Sequence, residues 1–276
     1  MEKKVQLHYN TINLKEKIFS ALEKAGKNLD CLSLKDLALI DQLHTGGTQA
    51  TLALLERANL KPGSEILDAG CGLGGSSRLM AKKFEHVVTG IDLSDQFIEA
   101  ARALTEKTRL SDQVYFQGGS ILDLPFQKQS FDAILCQHML MNIQHKEKAF
   151  QAFHRVLGNG GKLMIHEITK GEDNPILYPV PWAKEDAISF IESWESMESL
   201  IEKTGFERQT FSDETQNASN WWAKAKQAAD KNNMLTKELG PHLVFGDTAA
   251  VFGKNMSFNF KWDRIKAVEA VFIKRG

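Results

Sequence analysis

Cysteine is scarce in this chain, with only Cys31, Cys71 and Cys136 among 276 residues. An odd, widely scattered set forms neither a disulfide framework nor a zinc-ligand spacing, and it points to reduced thiols in a cytoplasmic setting. A charge excess is missing as well: 34 basic residues face 35 acidic ones, for a net charge of −1. No overall field therefore recommends a nucleic acid or an anionic membrane as partner. Long apolar runs are absent too. Nowhere do about 18 apolar residues follow one another, and the charged start, Met1 to Asn10, has no apolar h-region, so neither membrane spanning nor export is expected. No internal repeat or low-complexity stretch is visible. What remains is 42% hydrophobic content, enough to bury one α/β core with a small appended element.

The most informative stretch present is Glu65-Ile66-Leu67-Asp68-Ala69-Gly70-Cys71-Gly72-Leu73-Gly74-Gly75. An apolar strand ends in an acid, and a glycine-rich turn opens a helix. Gly70, Gly72 and Gly74 admit backbone conformations that a side chain forbids, and they are expected to bring main-chain N–H groups close to a nucleotide-like ligand. Gly70, Gly72 and Gly75 also satisfy the dinucleotide fingerprint G-x-G-x-x-G, a weak match on its own. Asp68 tells against that reading, because a pyrophosphate there meets like-charge repulsion in a low-dielectric cleft. S-adenosylmethionine suits the position better, being a sulfonium with an amino group and no phosphate.

A second strand, Val87 to Ile91, closes on Asp92, 18 positions after Gly74. In a doubly wound sheet that carboxylate accepts hydrogen bonds from ribose hydroxyls. Its structural alternative is a cap for the helix beginning near Ser94.

Around these signals the chain alternates helix and strand. Apolar positions Leu14, Ile18, Leu22 and Leu34, Leu37, Ile40 fall at helical spacing, and Thr48 to Ala58 forms a further helix stopped by Lys61-Pro62-Gly63. Helices over 76–84, 95–110, 146–157 and 193–204 separate strands over 87–91, 114–117, 131–136, 162–167 and 206–211, with a last strand over 267–273. Such alternation means parallel pairing with both faces covered. The stretch 212–266 is too long for a connection and forms an element of its own, with helices over 220–239 and 247–259. The expected fold is a Rossmann-like, mostly parallel seven-stranded sheet, with a core over 61–211 and 267–276, covering helices over 1–60 and a helical lid over 212–266.

The motifs D-A-G-C-G-L-G-G, G-I-D-L-S, L-D-L-P-F, S-F-D-A-I-L and V-L-G-N-G-G-K-L resemble those of the class I S-adenosylmethionine-dependent methyltransferases, over Leu43 to Gly161. Asp41 to Gly47, Cys136 to Met139 and Tyr178 to Ala183 are most similar to bacterial small-molecule enzymes of the sarcosine and dimethylglycine N-methyltransferase type. The resemblance implies S-adenosylmethionine as cofactor and a small-molecule methyl acceptor. Position by position it assigns Asp68, Gly70, Gly72 and Gly74 to the cofactor turn, Asp92 to the ribose, and Leu93 beside the adenine. Ser120 stands where the family usually has an acid for the adenine amino group, so the Ser120 hydroxyl or the Ile121 N–H is left to take that contact. Gln137 lines up beside the reacting methyl group, and His44 lies in a loop folding over the cofactor.

Methyl transfer from a sulfonium is a direct displacement, needing alignment and exclusion of water more than a catalytic triad. His138 is the candidate base or substrate-orienting residue, with Gln137 and His44 beside it. His166, Tyr178 and Trp182 are substrate candidates, the aromatic pair as a surface for a cationic amine; each of these residues also has an ordinary structural reading. Glu172-Asp173-Asn174 reads as a polar loop, and no metal is expected. The leading function is methyl transfer to nitrogen or oxygen of a small metabolite. C-methylation of a quinone-like or lipid substrate, a catalytically silent cofactor-binding protein and, least favoured, a dehydrogenase remain open, as does the oligomeric state.

Overall fold

The computed structural model describes residues 2–9, 11–172, 175–230 and 238–275. Four helices precede the sheet: α1 (Glu2–Tyr9), α2 (Leu14–Lys24), α3 (Leu34–Asp41) and α4 (Gly47–Ala58). The core then runs β1 (Glu65–Ala69), α5 (Gly75–Phe84), β2 (Val87–Asp92), α6 (Asp95–Lys107), β3 (Val114–Gly118), β4 (Phe131–Gln137), α7 (Lys146–Val156), β5 (Leu157–Lys170), α8 (Trp194–Lys203) and β6 (Phe206–Asp213). Helices α9 (Thr215–Asp230), α10 (His242–Phe245) and α11 (Ala249–Lys261) separate β6 from β7 (Ile265–Lys274).

The sheet order is β3-β2-β1-β4-β5-β7-β6, with β1 to β5 parallel and β7 antiparallel to both neighbours. Strict alternation divides its two faces. Leu67, Ile134, Cys136, Leu163 and Ile165 pack under α7 and α8, whereas Ile66, Ala133, Leu135 and Met164 meet Leu54, Leu55 and Ala58 of α4. A two-residue period in buried strands thus gives both faces an apolar layer. The reversal of order between β1 and β4 opens the crevice at the carboxyl ends of the strands, where ligands bind in such sheets.

Several boundaries differ from the expected ones. The fifth strand begins at Leu157, beside Phe131, then shifts register across the glycine-rich stretch 158–161 before Lys162 pairs Ala133. The strand's range spans that stretch, but no ladder partner falls between Leu157 and Lys162 and Gly160 has φ 73°, so the glycines make an irregular bulge within the strand. The first lid helix begins at Thr215, ahead of 220, and the second starts at Ala249, after a 3-10 turn at Gly246–Thr248. The expected helix over 220–239 passes through 231–237, outside the described residues, as do Asp173 and Asn174 of the acidic loop. Residues 2–9, within the stretch expected to form covering helices but given no boundaries of their own, form α1.

Candidate functional site

At the carboxyl ends of β1, β2 and β4 lies a cleft of about 1310 Å³, its open mouth included. One side is built from the core: Asp68, Gly70, Gly72, Asp92, Leu93, Ser120, Ile121 and Gln137. The other comes from elements that cover it, with Val5 and Tyr9 of α1, Met141 and Asn142 after β4, Trp182, and Phe245 of the lid region. His44 and His138 also stand in the wall. Most residues proposed from the sequence are therefore brought together.

The glycine turn works differently from the expectation. Gly70, Gly72 and Gly74 do have positive φ, at 80°, 52° and 77°, but their N–H groups are consumed within the protein. Gly70 N–H donates to Ile91 O at 2.9 Å and Gly74 N–H to Cys71 O at 2.8 Å, while Gly72 N–H donates to Asp92 Oδ2 at 2.9 Å. No cradle of free glycine amides remains for a pyrophosphate. Gly70 instead permits a close approach: a Cβ there would stand 2.5 Å from Met139 Cγ. Gly74 lies behind the wall as the N-cap of α5, and its missing Cβ leaves room for Phe116, 2.5 Å from where that atom would be.

Carboxylates dominate the polar part of the core side. Asp68 is buried, accepts the Ser77 hydroxyl at 2.5 Å, and has its pKa raised to about 6, chiefly by burial and further by Asp92. Burial likewise raises Asp92, against hydrogen bonds from the Ser94 and Gly72 amides. The helix cap at this point is Ser94, which accepts Phe97 N–H, so Asp92 orders the turn while remaining in the wall. Asp41 is held by fully buried Arg78 at 2.7 Å, yet its Oδ1 is buried without a partner. Sequence reading placed Asp41 in a resembling segment without seeing this pair, because Arg78 reads as an ordinary solvent-facing helix residue.

Three histidines cluster behind and within the wall. Ring centroids lie 4.6 Å apart for His138 and His166, 5.8 Å for His44 and His166, and 6.1 Å for His44 and His138. Burial drives all three pKa values down, His44 to about 4, so each imidazole is neutral at pH 7. His44 Nε2 stands 3.0 Å from Gly47 O and 2.9 Å from Thr51 Oγ1. Thr51 in turn donates to Gln137 Oε1 at 3.2 Å. Nε2–H as the donor satisfies that chain and leaves Nδ1 carrying the lone pair. Gln137 Oε1 also accepts Ser76 at 2.8 Å, and Gln137 Nε2 lies 3.3 Å from His166 Nδ1. His138 has φ 48°, and its Nε2 is buried without a partner. The loop is braced from beneath by Glu167 Oε1, which accepts Met139 N–H at 2.6 Å and Leu140 N–H at 2.8 Å.

Other sequence candidates go elsewhere. His166 is packed behind His138, outside the wall, and its carbonyl accepts His138 N–H at 2.8 Å. Tyr178 also lies outside the wall, donating to Asp186 at 3.1 Å, so a Tyr178–Trp182 aromatic surface is not formed. Trp182 is in the wall with its Nε1 donating to Ser189 at 2.9 Å. Trp194 packs against Phe211 and Phe272; Trp222 donates to Thr45 at 3.1 Å, and Trp221 meets it edge to face despite their adjacency. Ser120 donates its hydroxyl to the Glu2 carboxylate, which returns an acid to the neighbourhood of the adenine position from a distant part of the chain.

Helix α1 supplies what sequence reading missed. No residue of it is fully buried, so no apolar stripe announces it, yet its side chains tie both halves of the cleft. Gln6 donates to Leu93 O at 3.1 Å, His8 lies 3.1 Å from Pro181 O, and Tyr9 donates to Asn142 at 3.0 Å.

Residues 67–165 match the family described as "Methyltransferase domain". Phosphoethanolamine N-methyltransferase 1 of Arabidopsis thaliana is 37% identical over 131 residues, which are 48% of this chain and 26% of that protein. The chain thus spans about a quarter of the length of that curated relative. A solved structure of Haemonchus contortus phosphoethanolamine N-methyltransferase 2, with phosphomonomethylethanolamine and S-adenosylhomocysteine, superposes with TM-score 0.74 at 20% identity, covering 95% of this chain and 58% of that one. The [4+2]-cyclase SpnF superposes with TM-score 0.71 at 19% identity, covering 98% and 97%. At such identities the two structures attest the shared fold, and the family match over residues 67–165 shows a methyltransferase domain in the strand-and-glycine core.

Proposed function

We propose that the protein transfers a methyl group from S-adenosylmethionine to nitrogen or oxygen of a small molecule in a reducing, cytoplasmic setting. The observation that carries the reading is the cofactor end of the cleft: Asp68 and Asp92 stand in the wall with pKa values raised by burial, while the glycine amides are already bonded. Buried carboxylates in want of positive charge fit a sulfonium and an ammonium, whereas a dinucleotide pyrophosphate meets like charge with no lysine or arginine in the wall among the described residues. Asp68 is the acceptor for the amino group, and Asp92 serves the ribose hydroxyls. Leu93, Ile121 and the Ser120–Glu2 pair border the adenine. The first turn of α5, beside Ser76 and ahead of the Arg78 N–H to Gly74 O bond, offers amides to the carboxylate.

When bound, S-adenosylmethionine supplies an activated methyl group, so the protein's task is orientation and dryness. Gln137, fixed by Thr51, Ser76 and His166, presents a rigid polar edge beside the reacting position. His138 is neutral at pH 7 and stands in the wall, where its imidazole orients the acceptor and aims the acceptor's lone pair. Its depressed pKa makes full protonation unfavourable, so we assign it orientation in preference to bulk proton removal. His44, held by Gly47 and Thr51, closes the wall beside it.

Calorimetry with S-adenosylmethionine, S-adenosylhomocysteine and NADH, on the wild type and Asp92→Ala, tests the proposal. Adenosyl-ligand binding weakened by the substitution is expected; binding of NADH alone restores the dehydrogenase. Cofactor binding without turnover across a broad acceptor panel points to a silent binding protein.

A further inference from the structure

We infer that the methyl acceptor carries no phosphate or carboxylate: it is an apolar, aryl- or alkyl-bodied molecule with one nitrogen or oxygen nucleophile. This inference rests on the methyltransferase reading above and names the substrate class of the same cleft.

The covering side of the cleft is apolar and aromatic. Val5, Met141, Trp182 and Phe245 belong to one hydrophobic cluster or pack against it, and Tyr9 lies edge-on to Phe97 and Phe245 with centroids 6.0 Å away in each case. Its polar groups are already matched. Asn142 donates to Trp182 O at 2.8 Å and Ile188 O at 3.0 Å and accepts Tyr9, so its amide has no donor to spare for an anion. What these groups leave open is acceptor capacity at the Tyr9 hydroxyl oxygen, suited to a neutral N–H or O–H.

The charges in the wall have one sign. Glu2, Asp41, Asp68 and Asp92 line it, and among the described residues no lysine or arginine does. Buried and half-buried cations around it are engaged elsewhere, and Lys3 and Lys4 of α1 are exposed to solvent. Arg78 is spent on Asp41. The Lys146 amine is bonded to Ile143 O and Phe190 O and paired with Glu192. Arg57 pairs with Glu214 and Glu269. Lys184, near His8 beyond Pro181, is exposed to solvent. A buried phosphate needs charge-assisted donors, and a carboxylate needs at least one, or the desolvation cost goes unanswered. Here either anion also meets like charge. A phosphobase such as the Haemonchus enzyme holds, or an amino acid such as sarcosine, is thereby refused, while an apolar amine or phenol gains the aromatic surface.

The test titrates two pairs that differ only in the anion, tyramine against tyrosine and ethanolamine against phosphoethanolamine, into protein saturated with S-adenosylhomocysteine, and follows methylation of the same four with S-adenosylmethionine. Tyramine is expected to bind and to be methylated at least about tenfold better than tyrosine, and phosphoethanolamine to show no advantage over ethanolamine. Val5→Lys, at a half-buried position of α1, places a cation in the wall and is expected to improve phosphoethanolamine binding at least about tenfold. Equal or better use of the anionic members by the wild type overturns the inference, as does inertness toward all four compounds with cofactor binding intact. Failure of both adenosyl ligands to bind overturns the methyltransferase reading instead.

Discussion

Replacing Asp68 by asparagine separates the stability of the empty cleft from its affinity for a cation, because the two move in opposite directions. Asp68 is buried and its pKa rises from 3.8 to about 6, mostly through desolvation. For an acid shifted upward, the folded state is favoured while the group is protonated in both states. That advantage is lost as pH climbs from the unfolded value near 3.8 through 6, and the loss is complete above it. Two units correspond to about 3 kcal/mol. Asparagine matches the shape, and its amide oxygen still accepts the Ser77 hydroxyl, so the ligand-free variant is expected to be more stable than wild type at pH 8 by up to about 3 kcal/mol. At pH 4 the difference closes. Other raised acids, Asp92 and Glu167, give both proteins their own pH slopes, so the difference between the two isolates Asp68. S-adenosylmethionine binding moves the other way. A lost charged hydrogen bond costs about 1.5–3 kcal/mol, or roughly 10- to 150-fold in affinity at pH 8. Below pH 6 wild-type affinity falls as Asp68 protonates, and the variant's falls less. Urea unfolding and calorimetry at pH 4, 6 and 8 read both quantities. A variant no more stable than wild type at pH 8, or one that binds S-adenosylmethionine unchanged, refutes the argument that a strained carboxylate awaits a cation.

Further substitutions probe the supports of the cleft. Arg78→Leu strands Asp41 in the interior and is expected to lower stability by about 3–5 kcal/mol in urea unfolding, with much of the loss recovered in the double variant Arg78→Leu/Asp41→Asn. Gly74→Ala forces a Cβ into Phe116 at a positive φ, so it is expected to cost about 1–3 kcal/mol of stability by the same assay while the folded fraction keeps its cofactor affinity. Gly70→Ala, aimed at Met139 in the wall, should lose both. Glu167 has its pKa raised to about 7 by burial. Glu167→Gln, which keeps an acceptor for Met139 and Leu140, is expected to stabilise the protein above pH 7 and leave it unchanged near pH 4, whereas Glu167→Ala orphans two buried amides and lowers stability by about 2–5 kcal/mol near pH 4, a loss that shrinks above pH 7 where wild type carries a buried charge, as thermal unfolding would show.

The core was legible because its signals are local. A buried strand, an acid and a turn that only glycine can make occupy a dozen consecutive residues from Glu65, and the next strand ends in Asp92 at a distance set by one helix. The wall was not legible where it depends on contacts between distant segments. Tyr9 reaches Asn142 across 133 positions and Ser120 reaches Glu2 across 118, from a helix with no buried residue and hence no apolar period to detect. Sequence spacing also misjudged direction. Tyr178 and Trp182, four apart in an irregular loop, lack the fixed geometry of a helix turn, and they diverge so that only Trp182 faces the cleft. His166 alternates with Glu167 along a strand whose neighbours cover both faces, which sends one side chain to the histidine cluster and the other beneath the loop it braces. The glycine amides are the subtler case. Positive φ was readable from residue type, but whether the freed N–H points to ligand or to Ile91 depends on β2 lying alongside.

That division between a legible core and a covering wall also bears on what the fold can say about chemistry. The same architecture serves a phosphoethanolamine methyltransferase and a [4+2]-cyclase, so the sheet alone does not choose the reaction. In this chain the strand ends and glycine turn present acids to one side of the cleft, whereas α1, the loop after β4, Trp182 and Phe245 complete the other, which the proposed function gives to the acceptor. Among the described residues, α1 is joined to the core side by two side-chain hydrogen bonds, Gln6 to Leu93 and Ser120 to Glu2. A change of acceptor therefore requires replacing side chains on the cover with little disturbance of the sheet's two apolar layers. Cutting α1's ties to the core side by Gln6→Ala with Ser120→Ala should accordingly raise KM for the acceptor several-fold while global stability shifts by about 2 kcal/mol or less, since half-buried hydrogen bonds contribute about 1 kcal/mol net each. Loss of the whole fold in that double variant would show that the cover and the sheet are one cooperative unit, and that acceptor choice is built into the core after all.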